Sequence, residues 1–323
     1  MPKSVRPGVT PIPHIAQKRR LFFETLNPFF GFFYTVKKRI RKMRTAYQQI
    51  ELIETDEFGK VLLLDNITQL GERNDQSYHE PMVHPALCSH PRPESVLVIG
   101  GGDGGILREV FRHSAVKRVQ LVELDDGVIS FAKKHLSSFH RNAFDDPRLE
   151  LTIADGRSFI QNHPKEFDVI IMDMTDPFGP SKMLYTSNFF RMVKKALRND
   201  KGLFVMHSES PISRPTAFAC INKTLKSVFP EVAVLYLYIQ MYGTLWSVSV
   251  CSPTIDISTL SVPTINRKLA RSGIGNLQVY NGATHQSMQT AFPFVSEILR
   301  KPARIITDHR PDFPDDFISR KEN

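Results

Sequence analysis

A wholly apolar run, Val96–Ile99, passes directly into the glycine-rich segment Gly100–Gly105. A strand that is apolar at every position has to be covered on both of its faces. Glycines let the chain turn tightly at this point, and they let its backbone approach a ligand closely. Since ligands bind at the carboxyl ends of parallel strands, the segment predicts a buried strand that leads into a binding loop and then into a helix.

Strands and helices alternate along the rest of the chain after this loop. Short apolar runs predict strands, and amphipathic stretches between them predict helices. Strict alternation is typical of an α/β domain with a doubly wound, parallel sheet. The further predicted strands are 119–124, 149–153, 169–172 and 203–207.

Residues 45–70 have a different pattern, in which apolar and polar positions alternate around a turn at Asp56–Gly59. This pattern predicts a β-hairpin or meander, and a helix is expected over 74–90. The predicted parts of the chain are therefore 1–44, a basic and aromatic extension; 45–93, a small β-domain with a linker helix; 94–300, a Rossmann-like catalytic domain; and 301–323, an irregular tail.

The positive charge of the chain is concentrated at its start. The net charge is +9, but residues 1–44 contain eleven Lys and Arg and one acid, Glu24, which makes +10 for this segment alone. The remaining residues contain 31 bases and 32 acids. This distribution argues against a nucleic-acid-binding protein. We expect the basic side chains to be solvated and the phenylalanines among them to pack on the body of the protein or on a second subunit.

Three cysteines, Cys88, Cys220 and Cys251, lie far apart in the chain. Their odd number and the absence of a Cys-x-x-Cys pair argue against a disulfide framework and against a zinc site. No apolar run reaches the length of a transmembrane helix, and no signal-peptide pattern is present. These observations favour a reducing, cytoplasmic compartment.

Acidic residues follow the predicted strand ends. Glu123 lies about 20 residues beyond the glycine loop, where a carboxylate binds the hydroxyls of a ribose. Asp155 and Gly156 follow another strand and suit contacts to an adenine. Together with Gly100 and Gly102, these residues predict a nucleoside site, which we call the donor end.

Asp103 lies inside the loop, and its negative charge indicates which charge the bound nucleoside carries. An acid there would repel the pyrophosphate of a dinucleotide at the helix N-terminus. A cation fits better, and decarboxylated S-adenosylmethionine carries only positive charge because it has lost the carboxylate of its parent compound. Asp is also a common helix N-cap, so the residue taken alone leaves a structural role open.

Asp173 and Asp176 follow the strand 169–172 and predict an amine-binding site, which we call the acceptor end. An attacking amine must be neutral, so a carboxylate has to remove the proton of the alkylammonium. We expect Asp173 to be this base and Asp176 to bind an ammonium, although a capping role for Asp176 stays open. Further groups suited to an alkylammonium are Tyr78, His79, Glu209 and Tyr242. The segment His79–His84 lacks the spacing of a zinc protease helix, and we expect no metal site.

These segments together resemble the spermidine synthase family over roughly residues 45–300. The resemblance implies a small β-domain beside a methyltransferase-like Rossmann sheet, assembled as a homodimer or homotetramer. It implies transfer of an aminopropyl group from decarboxylated S-adenosylmethionine to an amine, by default putrescine, with spermidine and methylthioadenosine as products and no cofactor. The segments that carry it include Gly100–Gly105, Glu123–Asp125, Asp155–Gly156, Asp173–Pro180 and Tyr78–Glu80.

The resemblance also implies roles for individual residues. Gln48, Asp103, Glu123, Asp155 and Gly156 would contact the donor. Asp173 would act as the base. Gln69, Tyr78, Asp176 and Tyr242 would lie near the acceptor.

Two segments depart from the family pattern and leave the acceptor open. His207-Ser208-Glu209 stands where the family commonly has Gln-Gly-Glu, and Gln240–Trp246 replaces a proline-containing loop. Cadaverine, agmatine or spermidine are alternatives to putrescine. The rival hypotheses are an S-adenosylmethionine-dependent methyltransferase on the same sheet and a non-catalytic RNA- or membrane-binding protein that uses residues 1–44.

Overall fold

Two sheets organise the structure, a computed structural model that describes residues 19–27, 29–177 and 179–314. An antiparallel sheet of five strands comes first, and a mixed sheet of seven strands follows it. The helix Gln76–Ser89 connects them. This order confirms the predicted fold class, a Rossmann-like α/β sheet preceded by a small β-domain.

The first sheet is a meander whose strands are neighbours in chain order. Residues 20–44, predicted as part of an extension, form its first two strands, while residues 1–18 lie outside the described residues. In β2, Tyr34 and Val36 are buried, and the basic residues that follow are exposed. The period-2 alternation therefore continues upstream of residue 45. The strands are β1 Arg20–Asn27, β2 Phe30–Arg44, β3 Gln49–Thr55, β4 Gly59–Leu64 and β5 Ile67–Gly71.

The second sheet has the order β11-β12-β10-β9-β6-β7-β8. The five predicted strands, β6 to β10, are parallel as expected. The prediction of an entirely parallel sheet was wrong for β11 and β12. These two strands pair antiparallel to each other, and β12 is also antiparallel to β10. The connection Gln240–Gly243 is too short for a crossover and forces a hairpin. The strands are β6 Ser95–Gly100, β7 Arg118–Glu123, β8 Leu149–Ile153, β9 Val169–Asp173, β10 Leu203–His207, β11 Glu231–Ile239 and β12 Thr244–Ser252.

The hydrophobic core lies on both faces of the second sheet. Val96 and Val98 of β6 belong to one buried cluster, and Leu97 and Ile99 belong to another on the opposite face. Each described helix is too short or too polar to cross a membrane. Besides the connecting helix, the described α-helices are Gly105–Val110, Asp126–His135, Ser137–His140, Gly156–Gln161, Ser187–Ala196, Pro215–Lys226, Val262–Arg271, Gly282–Ser287 and Pro293–Arg300.

The connecting helix is buried from Tyr78 to Ser89. It contacts strands β9 to β12 of the second sheet. The carboxylate of Glu80 accepts hydrogen bonds from the backbone N–H groups of Gln278, Val279 and Tyr280 at 2.8–2.9 Å. A buried carboxylate with three donors is firmly held. The first turn of this helix, which carries Tyr78 and His79, is therefore rigid.

Residues 301–314 of the predicted tail have no regular secondary structure, and they pack on the body of the protein. Ile306 and Phe313 are buried, and Asp308 forms an ion pair with Arg157 at 2.5 Å. The rest of the predicted tail, 315–323, lies outside the described residues.

Gly100 occupies a position that only glycine tolerates. Its φ is +77°, and an added Cβ would overlap the backbone oxygen of Asp173. We expect Gly100→Ala to lower the free energy of unfolding by more than about 2 kcal/mol, because backbone strain and a steric clash add together. Gly273→Ala is the matched control, since Gly273 has a φ of +68° but nothing within 4 Å of an added Cβ. Chemical denaturation measures the free energy of unfolding of both variants. Equal losses in the two would show that the clash at Gly100 contributes nothing.

Candidate active site

The glycine loop brings β6 and β9 together at their carboxyl ends. Gly100, Gly101 and Gly104 all have positive φ. The Gly101 N–H donates to the backbone oxygen of Asp173 at 2.9 Å. A Cβ at Gly102 would lie 2.9 Å from Oε2 of Glu123. The predicted loop therefore contacts both Asp173, the predicted base, and Glu123, the predicted ribose ligand.

Glu123 ends β7, as predicted, and faces the loop. Burial raises the pKa of Glu123 to about 7. One of its oxygens accepts from the Asp125 backbone N–H at 3.0 Å. Asp125 in turn accepts from the Gln48 side-chain amide at 3.1 Å. Gln48 thus connects the first sheet to the donor end through Asp125.

Asp155 and Gly156 lie at the start of the helix that follows β8. Asp155 is exposed, and its side chain caps this helix by accepting from the Ser158 N–H at 2.7 Å. A Cβ at Gly156 would meet the side chain of Ile99 at 2.5 Å. Both residues lie at the end of the sheet, as expected. Their contacts in the structure are a helix cap, for Asp155, and close packing on Ile99, for Gly156.

Asp103 contacts two groups near the start of the helix Gly105–Val110. Its carboxylate accepts from the Gly105 N–H at 2.7 Å, although the N-cap residue of this helix is Gly104. The other contact is with His79, whose Nε2 lies 3.6 Å from the same carboxylate. An added Cβ at Gly105 would overlap the His79 ring, so glycine is needed to admit this imidazole.

His79 is fully buried between two carboxylates. Its Nδ1 lies 3.2 Å from Oδ2 of Asp75, on the side away from Asp103. Burial acts to lower the pKa of His79, but Asp75 and Asp103 raise it above its ordinary value. Arg108 also binds Asp75, at 2.6 Å. The structure therefore brings His79 to the donor end through Asp103, whereas the sequence analysis assigned it to the acceptor.

Asp173 lies at the centre of the site. Its Oδ1 accepts a hydrogen bond from the Tyr78 hydroxyl at 2.7 Å. Burial raises the pKa of Asp173 to about 6, and the negative charge of Asp103 adds to the effect. A carboxylate with a pKa near neutrality is suited to proton transfer at pH 7.

Aromatic residues extend from Tyr78 toward β12. The ring centroids of Tyr78 and Tyr242 are 6.4 Å apart, and those of Tyr242 and Trp246 are 5.2 Å apart. The Tyr242 hydroxyl donates to the backbone oxygen of Gln69 at 2.7 Å, and a small cavity is lined by Gln69, Tyr78, Met241 and Tyr242. The Gln69 side-chain amide itself donates to the Ile67 carbonyl. The predicted acceptor residues Gln69, Tyr78 and Tyr242 are therefore neighbours.

Asp176 and Glu209 are joined by one guanidinium. Arg214 Nη1 lies 2.7 Å from Oε1 of Glu209 and 3.7 Å from Oδ2 of Asp176. Glu209 is fully buried and has a φ of +70°. Strained backbone of this kind is concentrated at functional sites. Both acids therefore contact Arg214, which the sequence analysis did not single out, and their binding of the acceptor stays a prediction.

His207 shows how one departure from the family pattern fits the site. Its Nε2 lies 2.9 Å from the Met174 carbonyl and 2.7 Å from the Tyr185 hydroxyl. A carbonyl can only accept, so we assign the proton to Nε2. Burial lowers the pKa of His207, which keeps the ring neutral. The other nitrogen, Nδ1, therefore has a free lone pair, and it has no partner among the described residues.

Glu24, on β1, is a carboxylate of the acceptor end that the sequence analysis did not assign. It accepts from the Thr68 backbone N–H at 2.9 Å. Burial raises the pKa of Glu24 to about 7, and the charge of Asp176 contributes to the rise. The available signal was its position as the single acid among eleven bases in residues 1–44. That signal did not show which residues β1 would approach.

The histidines of the segment 79–84 have acidic or histidine partners instead of a common metal centre. His84 pairs with Glu109 at 3.1 Å and with His113 at 2.9 Å. Within the described ranges, no group of three His, Cys, Asp or Glu side chains has the arrangement of a metal site.

Family models match most of this architecture. Residues 75–260 match the model described as the spermine/spermidine synthase domain, and residues 21–72 match the spermidine synthase tetramerisation domain. The chain belongs to the spermidine synthase family. The second match begins within β1, so the family's N-terminal domain includes the two strands that the sequence analysis had placed in the extension.

Curated members of the spermidine synthase family are similar over most of their length. The polyamine aminopropyltransferase of Nitrosomonas europaea is 39% identical over 285 residues, which cover 88% of this chain and 87% of that protein. Polyamine aminopropyltransferase 2 of Hyperthermus butylicus is 38% identical over 278 residues, covering 85% of this chain and 91% of that protein.

Solved spermidine synthases have the same fold. The crystal structure of a spermidine synthase in complex with the transition state analogue AdoDATO matches with a TM-score of 0.81 at 33% identity, covering 90% of this chain and 96% of that one. The spermidine synthase of Thermotoga maritima matches with a TM-score of 0.80 at 33% identity, covering 87% and 94%.

Proposed function

We propose that this member of the spermidine synthase family transfers the aminopropyl group of decarboxylated S-adenosylmethionine to putrescine, which yields spermidine and methylthioadenosine. The observation that carries the proposal is Asp173, a partly buried carboxylate with a pKa of about 6 and a hydrogen bond from Tyr78. It lies between the donor end, marked by Asp103, and the acceptor end, marked by Asp176. A base between two cation sites is what amine alkylation requires.

At the donor end, Glu123 would bind the ribose, and Asp103 would bind the amine of the aminopropyl group. Both are carboxylates, and no Lys or Arg forms an ion pair with either of them among the described residues. Decarboxylated S-adenosylmethionine has no carboxylate, so it meets no repulsion from Asp103. The parent compound does, and this difference in charge selects against it.

At the acceptor end, Asp173 would remove a proton from the primary ammonium of putrescine. The neutral nitrogen would then attack the carbon beside the sulfonium with its lone pair. The carbon–sulfur bond breaks and its electrons go to sulfur, which leaves the neutral thioether methylthioadenosine. The new carbon–nitrogen bond makes a secondary ammonium, which the acids of the acceptor end stabilise.

The raised pKa of Asp173 predicts an acidic limit of activity. The base works only when ionised, so we expect kcat/KM for the donor to fall as the pH drops below about 6. Tyr78→Phe removes a hydrogen bond that lowers the pKa of Asp173, so this variant should shift the limit to higher pH. An acidic limit near the ordinary pKa of an aspartate would contradict the assignment of Asp173 as the base. A shift of this limit to lower pH in Tyr78→Phe would also contradict it.

We also propose that the protein assembles as a homodimer or homotetramer. The match to a tetramerisation domain supports this, and so do three exposed phenylalanines on the β1–β2 hairpin. Phe23, Phe29 and Phe30 are 67%, 95% and 56% exposed. Exposed apolar patches of this kind are typical of interfaces. The three buried, widely spaced cysteines support a cytoplasmic location.

The test of the proposed function is a set of incubations with one amine each, analysed by mass. Decarboxylated S-adenosylmethionine is combined with putrescine, cadaverine, agmatine or spermidine, and the parent compound is used in parallel. We expect a product that has gained one aminopropyl group, with methylthioadenosine in equal amount. Gain of a methyl group from the parent compound would instead establish a methyltransferase.

A further inference from the structure

The contacts at the acceptor end place the charged groups in a sequence. Tyr78 binds Asp173 and packs against Tyr242. Trp246 packs between Tyr242 and His207, with ring centroids 5.2 Å and 5.6 Å away. His207 contacts Tyr185, whose hydroxyl donates to the Thr175 carbonyl beside Asp176. The line of aromatic rings therefore leads from the base to the group Asp176, Glu209 and Arg214.

The guanidinium of Arg214 is held rigidly at this place. Its side chain is only 9% exposed. Two serines of its loop, Ser210 and Ser213, each bond the Thr244 hydroxyl at 2.9 Å. The carbonyl of Glu209 accepts from the Ser247 hydroxyl at 2.6 Å. The loop is thus attached to β12, so Arg214 is a fixed positive charge at the far end of the site.

The ion pairs at this end limit how much positive charge the acceptor can bring. Two carboxylates, Asp176 and Glu209, share one guanidinium, which leaves one net negative charge. Glu24 adds less than a full charge near neutral pH, because its pKa is raised to about 7. The neutral ring of His207 offers a lone pair without adding charge.

Acceptors differ in the charge that remains after the attacking nitrogen has lost its proton. A diamine keeps one ammonium, whereas a triamine keeps two. One ammonium matches the charge beside Asp176. A second ammonium would have to lie beside Arg214, where like charges at a few ångströms repel each other in a partly buried site.

We propose that Arg214 is a specificity-determining residue, which makes the acceptor a diamine and excludes triamines. This inference rests on the proposed aminopropyl transfer and narrows its acceptor class. Arg214 acts through its charge and its contact with Asp176, and it takes no part in the proton transfer.

The experiment compares kcat/KM for putrescine and spermidine as acceptors in several proteins. The wild type should favour putrescine. Arg214→Met should raise the ratio of spermidine to putrescine activity by about tenfold or more, because one like charge is removed. Arg214→Lys keeps the charge and should keep the preference. Lys223→Gln is the matched control, since it removes one positive charge from an exposed position on the helix Pro215–Lys226.

Arg214→Met leaves Glu209 buried without this partner, and the variant could unfold. The double variant Glu209→Gln with Arg214→Met removes both charges of that pair and should show the same change of ratio. A ratio unchanged within twofold in a folded variant would overturn the inference, and so would a wild type that prefers spermidine. Wild-type protein that is inactive with every amine would overturn the proposed function and this inference with it.

Discussion

Asp173→Asn is expected to lower kcat by about a hundredfold to ten-thousandfold, the range over which a general base contributes. The asparagine amide cannot take the proton of the acceptor ammonium. The attacking nitrogen therefore stays protonated and has no lone pair with which to attack. Asparagine has nearly the same shape, and its oxygen can still accept the Tyr78 hydrogen bond, which measures 2.7 Å in the native protein. Single-turnover measurements at saturating donor and acceptor check the expected loss.

Two measurements separate this chemical role from damage to the fold. Donor affinity should change by less than about tenfold, since Glu123 and Asp103 are intact. The thermal midpoint should not fall, because the fold raises the pKa of the partly buried Asp173 and therefore disfavours its ionised form. Activity of Asp173→Asn within tenfold of the wild type would show that another group takes the proton.

Asp103→Asn is expected to weaken binding of the decarboxylated donor by about tenfold to a hundredfold. The reason is the loss of one carboxylate from a partly buried site that binds a cation. Binding of the carboxyl-bearing parent compound should weaken less, so the discrimination between the two donors becomes smaller. Calorimetric titration with each compound measures both effects.

The substitution is chosen to separate the two functions of Asp103. The side-chain oxygen of asparagine can accept the same hydrogen bond as that of aspartate, so the contact with the Gly105 N–H, which measures 2.7 Å in the native protein, is kept. Asp200→Asn removes a negative charge from an exposed turn and is the matched control. If Asp103→Asn binds both donors as the wild type does, the role of this residue is structural and the charge argument fails.

The donor end was largely predictable from the sequence, because its parts are local. Gly100 and Glu123 end strands and Asp155 lies two residues after one, and parallel strands bring their carboxyl ends to one edge of the sheet. The structure places them as expected. It also shows that Asp103 accepts from the Gly105 N–H and contacts His79, while its contact with the donor stays a prediction.

The acceptor end was predictable only in part, because several of its groups come from distant segments. Glu24 reaches it from β1, and Tyr242 and Trp246 reach it from the antiparallel hairpin of β11 and β12. The contacts that bring these segments to the site join residues far apart in the chain, so they leave no local signal. The mixed direction of the second sheet was missed because no strand was predicted after 203–207, although the short connection Gln240–Gly243 is local.

Local patterns of apolar and glycine residues were therefore sufficient to identify the α/β sheet, its binding loop and the candidate base. They could not indicate how deeply each charge is buried or which charge lies beside it. The pKa of Asp173 near 6, the position of Glu24 and the contact of Arg214 with Asp176 all depend on packing. The physical reason is that desolvation and Coulomb interactions depend on distances in space, and only the folded chain sets those distances.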